Sequence, residues 1–243
     1  MKKEPISEEI FTLPEQEDFI ERIDDEHLFS AEPIQDLDIF LTGGNLLIFG
    51  ENRSDISIQI QWKHNQPELL PQCRIIGQTL FITTSIKQAI PTFWGQADPY
   101  IVEIHLPKNI AVRVRIIAGT LFVKNIQGVL QSHVTLGSIQ GFYEGVNFYG
   151  RVDAGDIKIH GLTGSAVSTV GVGDIELDFH HLAKTSQVKT RVLAGDISLR
   201  FPKELAAKLS TSTGKHRKGR VSNTAQLPIF ANVLLGDVTI LQR

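Results

Sequence analysis

The chain has 243 residues, of which 42% are hydrophobic, 21% charged and 7% aromatic, and its net charge is −3. Those proportions exclude collagen, low complexity and global disorder. No apolar run reaches the ~18 residues of a membrane-spanning helix, the first five residues lack the apolar core of a secretory signal, and the single Cys73 excludes a disulfide framework or multi-cysteine zinc site.

The charge is unevenly spread. Residues 1–32 hold eleven acids against Lys2, Lys3 and Arg22, a net of −8, which leaves +5 for residues 33–243. An acidic N-terminal segment over residues 1–34, part disordered and part short helical turns, is therefore expected. Its apolar residues, Ile10, Phe11, Leu13, Phe19, Ile20, Ile23, Leu28 and Phe29, suit one or two amphipathic turns. Downstream, alternating apolar residues predict strands over 38–41, 44–49, 54–60, 79–82 and 100–106, with surface loops at 67–71 and 90–99. Residues 35–110 are read as irregular β-coils that start and cap a more regular stack, and 202–208 as one short helix.

From residue 111 a phrase repeats. Gly119-Thr120-Leu121, Gly137-Ser138-Ile139, Gly155-Asp156-Ile157, Gly173-Asp174-Ile175, Gly195-Asp196-Ile197 and Gly236-Asp237-Val238 are spaced 18, 18, 18, 22 and 41 residues apart. Three residues before each glycine stand Ile116, Val134, Val152, Val170, Val192 and Val233. Two after it stand Leu121, Ile139, Ile157, Ile175, Ile197 and Val238. Alternation of this kind is a strand with one face buried, and no helical period fits. A repeat so short buries its apolar side only against its neighbours. The fold expected over residues 35–243 is accordingly an all-β, single-stranded β-solenoid, parallel β-helix-like, with ~18-residue coils. Residues 111–243 are its regular part, and a basic loop is inserted near 203–230.

The run from Ile104-His105-Leu106-Pro107 through these repeats to Gly236-Asp237-Val238 resembles the bacterial "putative adhesin" β-helical domain family, a Gly-Asp-Val/Ile repeat family of unknown function. Arg200-Phe201-Pro202 and the 209–214 segment fit its later coils, so the resemblance covers residues 36–243. The chain has Ala154, Val172, Ala194 and Leu235 where that family carries Ser. The resemblance implies a β-helical, adhesin-like binding or structural protein, and it brings no catalytic residues.

Candidate chemistry is sparse. Asp156, Asp174, Asp196 and Asp237 share one repeat position, a carboxylate ladder whose neighbours, ~4.8 Å apart, repel by only about 0.9 kcal/mol in water. Turn formation, each Asp bonding an amide of its own turn, is the first reading. Calcium binding or acid–base work on a polysaccharide is the alternative. The Gly-Gly-x-Gly-x-Asp phrase of calcium-binding solenoids is absent. The eight histidines form no HxH or HxxxH pair, and His180-His181 would face opposite sides of a strand. Cys73 reads as a buried filler. Lys215, Arg217, Lys218 and Arg220 form the one dense basic cluster, a solvated loop or a docking patch for an anionic partner or for the acidic segment. No aromatics interleave with it, so there is no strong nucleic-acid signal.

The expected function is a non-enzymatic binding or structural module with no cofactor and no metal. Its partner would be a protein or a glycan, with self-association through the solenoid ends. A carbohydrate-active β-helix enzyme using surface carboxylates, or a protein binding an anionic partner through 215–220, are the alternatives. A cytoplasmic location is expected, with the cell envelope or non-classical export as the other option.

Overall fold

The computed structural model describes residues 21–22, 27–62, 71–84, 100–183, 186–202, 220–222 and 229–242. The acidic residues 1–20, most of the two expected loops, the expected helix after Pro202 and the basic residues 215–219 lie outside them. Among the described residues the fold is all-β and contains no helix. In chain order the strands are β1 (Glu21–Arg22), β2 (His27–Ser30), β3 (Asp36–Leu41), β4 (Asn45–Glu51), β5 (Asp55–Trp62), β6 (Gln72–Ile76), β7 (Thr79–Thr83) and β8 (Tyr100–Pro107). Then come β9 (Ala111–Ile126), β10 (Leu130–Tyr143), β11 (Asn147–Ala154), β12 (Ile157–Leu162), β13 (Ser165–Val172), β14 (Ile175–Phe179), β15 (Val188–Ala194), β16 (Ile197–Phe201), β17 (Arg220–Ser222), β18 (Ile229–Leu235) and β19 (Val238–Gln242).

The strands build two parallel faces that meet at the glycine turns. Face A runs β7, β3, the first half of β9, the first half of β10, β11, β13, β15 and β18. Face B runs β8, β4, the second half of β9, the second half of β10, β12, β14, β16 and β19. Antiparallel strands complete the outer rows: β6 and then β1 beyond β7, β5 and then β2 beyond β8, and β17 against β18.

Alternation along each strand sends one apolar row inward. Val134, Val152, Val170, Val192 and Val233 pair in succession on face A, and none is more than 4% exposed. Ile139, Ile157, Ile175 and Ile197 do the same on face B. β-Branched side chains suit these rows because their stiff χ1 packs well on a pleated surface. Stacked Phe179 and Phe201, with ring centroids 5.0 Å apart, fill the far corner.

Two local assignments differ from expectation. Leu28 and Phe29 lie on β2, paired with Ser57 and Ile56 of β5, rather than on amphipathic turns. A distant strand partner outweighs the local helical spacing. His180 and His181 follow β14 rather than sitting on a strand, and both of their amides donate to the Leu162 carbonyl.

The turn glycines fix the spacing. Gly173 sits at φ +129°, and a Cβ there would overlap the Gly155 carbonyl. Gly77, between β6 and β7, has φ +59° but open space around it. Gly77→Ala should therefore cost about 1–2 kcal/mol, the penalty of a left-handed L-residue. Gly173→Ala adds a backbone clash and should cost more than about 3 kcal/mol. Chemical denaturation of both variants tests the difference, and equal losses would contradict it. Val170→Asp places an unpaired charge in the inner valine row and should abolish cooperative unfolding. A soluble Val170→Asp protein with a normal melt would overturn this register.

Candidate functional site

The ladder aspartates are engaged with backbone. The Asp174 amide donates to Asp156 Oδ1 at 2.8 Å, the Asp196 amide to Asp174 Oδ1 at 2.7 Å, and the Asp237 amide to Asp196 Oδ1 at 2.7 Å. Around them the ladder runs the other way: Gly155 N donates to Val172 O, and Ile157 N to Asp174 O. The amides of Asp174, Asp196 and Asp237 thus find their acceptor in the carboxylate one corner earlier, at the exposed rim of the turns. The bond expected within a single turn is instead a bond between turns. Asn45 belongs to the same column, because its Oδ1 accepts from the Thr120 amide at 3.1 Å.

The outward side chains carry the remaining chemistry. On face A, Arg115, His133, Arg151, Thr169, Arg191 and Asn232 stand in one file. Arg113, Gln131, Tyr149, Val167, Lys189 and Phe230 form the file beside it. Asp153 is held by His133 Nε2 at 3.0 Å and Arg151 Nε at 2.9 Å. Partial burial raises the Asp153 carboxyl, but those two partners outweigh it and leave the pKa below the ordinary range. Face B carries a different arrangement. Lys158 pairs with Glu176 at 3.1 Å, and Arg200 reaches Glu176 at 3.7 Å and Asp178 at 3.9 Å. His160 lies 3.7 Å from Asp178, whose buried Oδ1 has no hydrogen-bond partner.

At the end of face A nearest β7, Asp36, Asp38, Thr79, Phe81, Arg113 and Gln131 line a recess of about 160 Å³. Burial raises the Asp38 pKa, partly opposed by Arg113, whose guanidinium donates to Asp38 Oδ2 at 3.1 Å. Sites for drug-sized molecules run to about 300–1,000 Å³, so this recess suits a single polar group rather than a substrate. Among the described residues no group of three His, Cys, Asp or Glu could hold a metal ion.

The residues singled out in the sequence fare unequally. Asp156, Asp174, Asp196 and Asp237 are linked in succession by three amide–carboxylate bonds. Lys215, Arg217 and Lys218 lie outside the described residues, while Arg220 opens β17 in register with Asn232. Cys73 is buried in the core on β6. The outward files of face A escape a reading of the sequence alone, because their members lie 18, 22 or 41 residues apart and the cations skip strands.

No family model and no curated protein matches this chain. Two solved structures are similar to it at 13% identity and a TM-score of 0.37. One is a "putative cell adhesion protein" from Clostridium sporogenes, with 90% of this chain and 99% of that one covered. The other is a "putative adhesin" from Bacteroides fragilis, with 90% and 96% covered. At that likeness neither assigns a family or a role to this chain.

Two outcomes are expected from the site geometry. Asp174→Asn keeps an acceptor at the 2.7 Å position and should leave the melting temperature nearly unchanged. Asp174→Ala hands the exposed Asp196 amide to water and should lose about 0.5–1 kcal/mol by denaturant titration. The second concerns His105, whose Nδ1 meets Glu51 at 2.7 Å and whose Nε2 meets Glu103 at 2.9 Å. Burial lowers its pKa, but the two carboxylates outweigh that and raise it above the ordinary 6.5. A raised histidine stabilises fully below its unfolded pKa and loses that contribution as pH rises through its folded pKa. The melting advantage of wild type over His105→Gln should therefore be largest below 6.5 and shrink at higher pH.

Proposed function

We propose that this chain is a β-solenoid that works as a non-enzymatic, adhesin-like binding module, presenting its outer faces to a partner. The observation that supports this most is the ladder itself: the repeated carboxylates hold the amides of the next turn. Carboxylates engaged in stacking are poorly placed to move protons on a substrate. A general acid or base needs its oxygen within hydrogen-bond reach of the reacting group. The offset of 18 residues between paired strands also suits a solenoid, since Leu130 pairs with Phe148 and Ile139 with Ile157. Each added coil then lengthens two flat outer faces without opening a cleft.

The competing reading is a carbohydrate-active enzyme. The test is incubation of the intact protein with a panel of neutral and acidic polysaccharides, with new reducing ends as the readout. No cleavage is expected from the wild type. Cleavage that disappears in Asp174→Asn, which retains the turn, would overturn the binding-module reading.

A further inference from the structure

We propose that the outward surface of face A binds a linear acidic polysaccharide of the polyuronate class. This rests on the binding-module reading and names where the module binds and what it takes.

Charge is segregated between the two faces. From β9 to β18 the outward positions of face A carry Arg113, Arg115, Arg151, Lys189 and Arg191 against one carboxylate, Asp153. From β9 to β19 the outward positions of face B carry Lys124, Lys158 and Arg200 against Glu176 and Asp178, and the last four of these pair with one another. Asp153 is held by His133 and Arg151, and Asp38 of β3 holds Arg113, so the unpaired positive charge of face A lies toward β15. Lys189 and Arg191 are exposed, and neither has an ion-pair partner among the described residues.

The cations are also ordered. In the first file Arg115, Arg151 and Arg191 occupy every second strand. Two strand spacings set successive guanidinium roots about 9.6 Å apart. That suits a stiff polymer with regularly repeated carboxylates lying along the stack. Thr169, between Arg151 and Arg191, and Asn232, beyond Arg191, supply uncharged hydrogen-bonding groups, as a chain rich in hydroxyls requires. In the adjacent file Tyr149 is 43% exposed and Phe230 37% exposed, offering apolar ring faces for the C–H faces of pyranose rings.

Nucleic acid is the other polyanion to weigh. A duplex is convex and would touch the face along one line, so few of its phosphates would reach the cation file. Base stacking would use a run of adjacent aromatics, whereas Tyr149 and Phe230 are separated by Val167 and Lys189. An extended sugar chain fits the spacing better.

The test is native affinity electrophoresis of the intact chain in gels containing polygalacturonate, with dextran gels as the neutral control. Three proteins are compared after thermal melts confirm folding: wild type, Arg151→Gln/Lys189→Gln/Arg191→Gln on face A, and Lys124→Gln/Lys158→Gln/Arg200→Gln on face B. The two triple variants have equal net charge, so mobility differences report position. Wild type and the face B variant should be retarded alike, and the face A variant should lose about tenfold in affinity, with a shallower salt dependence. Tyr149→Ala keeps every charge and should still lose about fivefold, by analogy with other stacked ring contacts. Four results would overturn the proposal: equal loss in both triple variants, equal retardation by dextran, tighter binding to single-stranded DNA of equal charge, or retardation that appears only after residues 1–20 are removed. That last result would mean the chain's own acidic segment occupies the face. Retention independent of the face A cations would sink this inference and leave the module reading standing. New reducing ends in the polygalacturonate would sink the module reading instead.

Discussion

The close approach of successive glycine turns is the constraint on which the rest depends. Gly44, Gly119, Gly137, Gly155, Gly173, Gly195 and Gly236 all take positive φ, and the carbonyl of each lies where the next one's Cβ would be. A side chain at any of these corners would push neighbouring repeats beyond the ~4.8 Å that strand pairing demands. With the corner fixed, the register of both faces is fixed too. A slip of one residue would turn the valine and isoleucine rows outward and the charged files inward.

That constraint decides what each side chain is free to do. At four corners the residue after the glycine accepts the amide of the next turn, namely Asn45, Asp156, Asp174 and Asp196, while Thr120 and Ser138 meet through their hydroxyls at 3.4 Å. The inward positions are claimed by apolar packing. Only the outward positions of the two faces remain unassigned by folding, and there the faces diverge. Face B carries compensated charge, with Lys158, Glu176, Asp178 and Arg200 in one network. On face A, Asp38 holds Arg113 and Asp153 holds Arg151, while Lys189 and Arg191 have no ion-pair partner among the described residues. Surface ion pairs contribute little to stability. Unpaired cations such as Lys189 and Arg191 are therefore tolerable to the fold, but folding does not require them.

What could be read from the sequence divides along the same line. The rows behind Val170 and Ile175 were legible because each repeat must satisfy the same turn, so the same residue types return at fixed offsets from glycine. Gly44 was not legible as a member of the column, although it pairs its neighbours with Gly119's as the others do. The insertion that carries β5, β6, β7 and β8 stretches the interval to 75 residues and hides the period. The strand at Leu28 and Phe29 was hidden for a related reason: its partner, β5, lies some distance along the chain, and local spacing alone suggested turns. The cation files were invisible because the fold places no constraint on them. Without a structural rule, Arg115, Arg151 and Arg191 look like scattered surface residues until the register aligns them.

The stacking rule contains no stop. Each further Gly-Asp repeat would bury another β-branched pair and add another carboxylate–amide bond, so the number of strands must be limited by what covers the ends. At the start, the parallel rows are met by antiparallel strands: β5 and β2 beyond β8 on face B, β6 and β1 beyond β7 on face A. Antiparallel partners change the hydrogen-bond pattern and break the glycine column, so no parallel repeat can dock there. Among the described residues the far end is covered more thinly. The three residues of β17 run antiparallel along β18, and β19 has β16 as its one partner among the described residues. There Val238 and Ile240 are only half-buried, while their counterparts Ile197 and Leu199 one strand earlier are fully buried. Leu234 and Leu235 are likewise exposed on the last strand of face A. Among the described residues the asymmetry between the two ends thus follows from the order of the strands, the start of both faces being closed by a change of strand direction.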